Sequence, residues 1–235
     1  MNVLKHIFIF AVLLINSTSC TDGDKKSEDL SGAAEQEIIA KGGMQEDNGA
    51  DISVLMGQGD NAFTARNFDE AIAQYKSAIV LNPDMAGLHY KLGLAYGHKM
   101  MLNEAIASFS RAISLDPNQV NAYNNLGLAY ERKAMLTDAI SQYEKAVSIN
   151  PDYPQAHYNL ARCYSLRKGQ YPELYAEAAS HCYKAGVLFL QRGDKQMALE
   201  AYNDLKQLDS KELEDALREK LRAASQSGTG GSTFP

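Results

Sequence analysis

Side chains able to do chemistry are sparse in this chain, and their types suit holding a partner better than transforming a substrate. The five histidines are His6, His89, His98, His157 and His181. None falls in an HExxH pair or a Cys/His cluster with zinc spacing, so no metal site is expected. No GxSxG elbow presents a nucleophile, and no glycine-rich phosphate loop follows a strand-like run. Acidic pairs such as Glu104 and Asp116 fall on solvated faces. The reading is therefore non-catalytic, with no cofactor and no small-molecule substrate. What remains is a set of polar and aromatic residues: Tyr90, Lys91, Asn121, Asn124, Asn125, Tyr158, Asn159 and Arg162. An asparagine amide donates and accepts at once, which matches a peptide group. Lys91 and Arg162 would add attraction for a carboxylate.

Asn125 and Asn159 lie 34 residues apart, and that spacing governs much of the chain. The stretch from Val120 to Pro151 superposes on Ala86 to Pro117 and on Ile52 to Pro83 at the same interval. Gly59, Gly93 and Gly127 coincide, as do Ala71, Ala105 and Ala139, then Tyr75, Phe109 and Tyr143, and finally Pro83, Pro117 and Pro151. A fixed period of this size predicts a stacked array of identical supersecondary units. In the third unit, helical spacing predicts one helix from Val120 to about Lys133 and a second from about Thr137, as N-cap, to Ile149. Asn150 precedes a proline and is pushed out of the α region, which ends the second helix. Gly127 and Ala139 are small where the two helices cross, and Tyr130 and Tyr143 fill the space around that crossing. One such hairpin cannot bury its apolar face alone, so neighbours must stack on it.

The recurring set Leu126-Gly127, Tyr130, Ala139, Tyr143, Ala146 and Pro151 resembles the tetratricopeptide repeat (TPR) family. Departures are Ala62 in place of an aromatic, and Arg66, Met100 and Ala134 at the inter-helix turn where glycine is common. The resemblance implies an all-α, right-handed solenoid of antiparallel helix pairs. It also implies a concave groove, lined by the first helix of each unit, that grips extended peptides through asparagines. The groove set is the eight residues named above. The family's clamp for an acidic C-terminus needs Lys and Asn where this chain has Met56 and Asp60, so that specific function is not supported.

The array is expected over 51–224, with units at about 52–85, 86–119, 120–153, a degenerate 154–178, and 179–212, closed by a polar capping helix. The register breaks after Gly169-Gln170-Tyr171-Pro172, where one long helix from about Pro172 to Leu190 is expected to merge two elements, the alternative being a break near Gly186. Cys163 and Cys182 fall on neighbouring helices and read either as small buried residues or as a disulfide. Residues 225–235 are a Gly/Ser/Thr tail, expected to be flexible.

Residues 1–20 read as a targeting segment: Lys5, an apolar run from Ile7 to Ile15, then small residues before Cys20. That arrangement is similar to a bacterial lipoprotein signal, in which Cys20 becomes the acylated N-terminus, although Ser17 stands where that pattern has Leu, Val or Ile. Plain secretion and an uncleaved anchor are the alternatives. Thr21 in place of Asp implies sorting to the outer membrane. Residues 21–50 are acidic and poor in large apolar residues, as expected of a disordered tether. A net charge of −6 argues against a nucleic-acid surface, and no run of apolar residues is long enough for an ordinary membrane span. The expected function is a lipid-anchored binding scaffold on the periplasmic face of the outer membrane. TPR lipoproteins of this plan resemble pilotins and outer-membrane protein assembly factors. The alternatives are an accessory subunit acting in trans with an enzyme, or a soluble periplasmic or secreted adaptor.

Overall fold

In the computed structural model, chain contacts divide the protein into Met1–Glu46 and Asp47–Pro235. The structure describes residues 48–167 and 174–226, so the expected leader with Cys20 and most of the expected tether and tail lie outside the described residues, while residues 48–50 and 225–226, expected in the tether and tail, are helical. Every regular element described is helical: α1 (Asn48–Thr64), α2 (Phe68–Leu81), α3 (Ala86–His98), α4 (Leu102–Leu115), α5 (Val120–Arg132), α6 (Leu136–Ile149), α7 (Pro154–Leu166), α8 (Leu174–Gln191), α9 (Lys195–Leu205), a 3₁₀ turn (Lys206–Leu208) and α10 (Lys211–Gln226). The all-α solenoid expected from the period is observed. Helices pair as α1·α2, α3·α4, α5·α6 and α7·α8, and each pair packs on the next.

The turn chemistry repeats with the sequence. In the first three hairpins, and again between α8 and α9, the second residue after the helix is left-handed: Arg66 (φ 62°), Met100 (φ 59°), Ala134 (φ 58°) and Gly193 (φ 78°). The next backbone N–H then reaches five residues back, from Asn67 to Ala62, Met101 to Tyr96, Met135 to Tyr130 and Asp194 to Phe189. That is the helix-ending bond a left-handed residue makes available. It also fixes where the second helix starts. The N-cap of α6 is Met135, without a side-chain cap, so Thr137 lies inside the helix rather than capping it. Asn67 and Asp194 are the versions of this position that do cap, accepting from the N–H of Glu70 and Met197. Between units, Asn82, Asp116 and Asn150 each accept a bond from the N–H two residues on. Short polar side chains make this local turn.

Close approach within each pair depends on glycine. A Cβ at Gly59, Gly93 or Gly127 would lie 2.5, 2.7 or 2.6 Å from the ring of Tyr75, Phe109 or Tyr143. The fourth glycine in that register, Gly186, departs from the pattern: its neighbour is Leu217 of α10, not Tyr202. The cause is α8, which runs unbroken as the long merged helix expected there. It pairs with α7 and also packs on α9 and α10. Leu217 and Leu221 of α10 are buried in that terminal core, while Tyr202 accepts a bond from Arg218 and donates one to Glu214.

Candidate peptide-binding face

The first helices of neighbouring units touch directly, α3 with α5 and α5 with α7, so they line a common face. All eight residues of the expected groove set lie on these helices. Most bond across to a neighbouring unit rather than standing free. Lys91 Nζ pairs with Asp60 of α1 at 2.7 and 2.8 Å. Asn125 Nδ2 donates to Tyr90 Oη at 3.0 Å and to Asn121 O at 2.9 Å. Asn124 and Asn159 are buried, and Asn159 Nδ2 donates to Asn124 Oδ1 at 3.0 Å. Tyr158 Oη donates to Asp204 Oδ2 at 2.8 Å, and Arg162 is ion-paired with Glu131. Lys91 and Arg162 are thus each neutralised by an acid of the preceding unit, which removes the unmatched attraction for a carboxylate expected of them. Asn125 and Asn159, equivalent by register, have different surroundings: Asn125 is half-buried on the face, Asn159 is inside it.

The two ion pairs share a further partner. Tyr75 Oη donates to Asp60 Oδ1 at 2.7 Å, and Tyr143 Oη donates to Glu131 Oε2 at 3.0 Å. Each acid therefore accepts from the tyrosine of its own unit and from the base of the next. Burial alone would push the Asp60 carboxyl up, but the hydrogen bonds from Lys91 and Tyr75 and the Lys91 charge outweigh it and hold it below its ordinary value. The phenols of Tyr75 and Tyr143 are raised by burial and then by their acid neighbours. The acid-to-base spacing of 31 residues, from Asp60 to Lys91 and from Glu131 to Arg162, was the available sequence signal for these pairs. The middle unit has Phe109 in place of the tyrosine, so it has no hydroxyl to give.

Two hollows open along this face. One, of about 160 Å³, lies between α3 and α5 and is lined by Leu94, His98, Phe109, Asn125, Leu128 and Arg132 among others. The other, of about 650 Å³, is bordered by Tyr158, Arg162, Leu166, Cys182, Asp204 and Gln207 among others.

Two other sets of residues are accounted for by packing. His157 Nε2 bonds Pro151 O at 2.9 Å and His89 Nε2 bonds Pro83 O at 2.8 Å, so the equivalent histidines tie down equivalent turns. A carbonyl only accepts, so Nε2 carries the proton and His157 Nδ1 accepts from His181 Nδ1 at 2.8 Å. The disulfide considered for Cys163 and Cys182 is not formed; both are free and buried. Cys163 packs with Ala139, Ile140 and Tyr143, whereas Cys182 lies in the terminal core and donates to Ala201 O. Burial pushes both thiols up to about 12. Among the described residues no three His, Cys, Asp or Glu side chains gather as a metal site would need, and no helix is long and apolar enough to cross a membrane.

A family profile described as TPR repeat matches residues 61–99, 102–133 and 136–165. Among solved structures, MamA protein is similar with a TM-score of 0.61 and 24% identity, over 80% of this chain and 100% of that one. The first TPR of Spaghetti (RPAP3), bound to an HSP90 peptide, is similar with a TM-score of 0.50 and 23% identity, over 53% of this chain and 98% of that one. The O-GlcNAc transferase of Thermobaculum terrenum matches with a TM-score of 0.55 and 21% identity over 62% of this chain, which spans only 28% of that enzyme. No curated protein matches by sequence. At these identities the likeness is one of fold. The matched stretches within residues 61–165 are tetratricopeptide repeats, set in an all-helical TPR-like solenoid that extends to α10.

Proposed function

We propose that the chain is a non-catalytic scaffold that holds an extended protein segment along the face lined by α3, α5 and α7. The observation that carries this reading is the pair of hollows on that face. One is bordered by Leu94, Asn125 and Leu128 of α3 and α5, and the other by Tyr158 and Arg162 of α7 together with Asp204 and Gln207. Extended concave surfaces are what helical solenoids use to bind, and the RPAP3 domain of the same fold is a complex with a peptide. Affinity for one short segment is expected to be about micromolar. The test is fluorescence anisotropy of a labelled random nonapeptide library titrated with the mature protein. Saturable binding, weakened in Asn125→Ala with helicity unchanged, supports the reading; no saturable binding by any fraction of the library sinks it.

The same proposal places the scaffold at a membrane. Lys5, the apolar run Ile7 to Ile15 and the small residues before Cys20 support an acylated Cys20, with several acyl chains sufficient for stable anchoring. A scaffold on a lipid anchor fits envelope assembly work of the pilotin-like or outer-membrane assembly type. Intact mass of the protein extracted from membranes decides this part. An acylated N-terminal Cys20 supports it, and an unmodified chain starting there leaves a soluble exported adaptor.

A further inference from the structure

We propose that the junction of α3 and α5 is a subsite that seats one apolar side chain of the bound segment and clamps the adjoining peptide unit, in a sequence without a basic residue beside it. The inference rests on the groove reading above and specifies what the groove selects.

Register explains why the hollow is there. Asp60, Tyr75 and Lys91 close the junction of the first two units by a hydrogen-bonded ion pair. The residues one period on are Leu94, Phe109 and Asn125. None of these can form an acid–base pair, and together with Leu128 they line the hollow instead. One period further the residues are Leu128, Tyr143 and Asn159, and an ion pair returns three residues along, where Glu131 accepts from Tyr143 and pairs with Arg162. An apolar opening is thus flanked on both sides by junctions in which opposite charges cancel.

Hydrogen-bond accounting supplies the clamp. Asn121 O can only accept, so the amide nitrogen of Asn125 must face it, and the orientation of that amide is fixed. Both N–H groups of Asn125 are committed, to Asn121 O and Tyr90 Oη. Among the described residues no donor reaches Asn125 Oδ1. Tyr90 Oη accepts from Asn125 and keeps its own proton, which burial makes harder to lose. The pair therefore offers one acceptor and one donor side by side, the complement of a peptide N–H and C=O.

Charge sets the flank. Arg132 lines the hollow and donates to Gly97 O at 3.1 Å, but it has no acidic partner among the described residues. A lysine or arginine next to the seated side chain would meet this charge; a neutral or acidic residue would not.

The experiment uses nonapeptide pools with one fixed central residue and mixed Gly, Ala and Ser elsewhere, read by anisotropy with the mature protein. Pools with central Leu, Ile or Met are expected to bind about tenfold tighter than pools with central Asp or Lys. Placing Lys on either side of the central Leu should weaken binding several-fold, and Arg132→Glu should abolish that penalty. The combined change Leu94→Asp, Phe109→Tyr and Asn125→Lys rebuilds this junction as a copy of the first. It should melt cooperatively with full helicity yet lose the preference for central Leu. Should this variant misfold, Arg132→Glu, an exposed change, still reads the flank. Equal or tighter binding of charged-centre pools overturns the subsite while leaving the groove reading standing; no binding by any pool overturns both.

Discussion

The junction of units one and two and that of units three and four carry ion pairs between their first helices; the junction between them has apolar residues, the fixed Asn125 amide and hydrogen bonds from Arg132 to Gly97 O and from Lys133 to Asn103 in their place. All three are built on the same backbone plan, with the same glycine–aromatic crossing and the same turns. The difference comes from Phe109 standing between two tyrosines, and from Leu94 and Leu128 standing between Asp60 and Arg162. A repeat fixes the fold with its small and aromatic residues and leaves first-helix positions free. Those free positions decide whether a junction ties two units together or leaves room for something else.

The ion pairs themselves differ in depth, and this gives the largest expected effect. Glu131 has only 10% of its side chain exposed, against 45% for Asp60. Removing the base by Arg162→Ala strands a nearly buried carboxylate and should cost about 2–3 kcal/mol, discounted because Arg162 itself is partly exposed. Lys91→Ala leaves an acid already open to water and should cost less than about 1 kcal/mol. Urea unfolding of both variants checks the ordering. Equal losses would mean that depth does not separate the two closed junctions.

The glycine crossings sharpen the contrast with the open junction. Adding a Cβ at Gly127 drives into Tyr143, whose hydroxyl is bonded to Glu131, so the ring has little freedom to move. Gly127→Ala should cost about 2 kcal/mol. Gly93→Ala meets Phe109 at nearly the same distance, but that ring borders the hollow and has room to shift. It should cost about 1 kcal/mol, and it should also weaken binding of the Leu-centred pools by filling the space they use. Thermal melts paired with anisotropy would show whether stability and binding trade in this way.

Much of the fold was legible because its determinants recur in register: the glycines, the aromatics, the prolines and the alanines that cross. The start of α6 was misplaced because Thr137 is a better capping residue than Met135, yet a left-handed Ala134 and the bond from Met135 N–H fix the helix start first. The partner of Gly186 was not legible, because α10 comes from outside the period. On the candidate face the placement of these residues on the first helices was legible and their bonding was not. Asn125 and Asn159 look interchangeable in sequence, but Asn124 on α5 draws Asn159 into a buried bond. A disulfide reading of Cys163 and Cys182 failed because neighbouring helices can turn two thiols into different cores.

Unit four carries an acid-sensitive pair that unit two lacks, although both hold the same proline carbonyl with a histidine. His181 is held down to about 4, chiefly by burial and then by the charge of His157, with Glu177 pulling the other way. Tyr164 also packs on its ring, and Asp152 and Lys184 act on His157. A folded value below the ordinary 6.5 means that the unfolded chain takes up the proton first. The stability this represents is present above about pH 6.5 and is lost as pH falls toward 4. Allowing for the half-exposed ring, the loss should be about 1 kcal/mol. Chemical denaturation of wild type and His181→Phe at several pH values isolates it: the stability of wild type relative to the variant should fall as pH drops through this window, and a pH-independent difference would remove the pair from the account.

The smallest effect concerns the turns, where open and closed junctions are built alike. Met100 and Ala134 are left-handed at φ 59° and 58°, a region that crowds a Cβ and that glycine enters freely. Gly193 already occupies the equivalent turn in the last unit at φ 78°. Replacing Ala134 by Gly relieves that crowding but loosens the unfolded chain, and the two partly cancel. The net gain should be about 0.5 kcal/mol, a shift of a few degrees at most in the melting temperature. Met100→Gly should gain similarly, less whatever its contact with Arg132 contributes, since Arg132 Nη1 lies 3.6 Å from Met100 Sδ. Because Arg132 sets the flank of the proposed subsite, Met100→Gly should also alter the Lys-flank penalty, whereas Ala134→Gly should leave it untouched. A matched gain in stability with a change in selectivity at Met100 alone would tie the turn of unit two to the open junction.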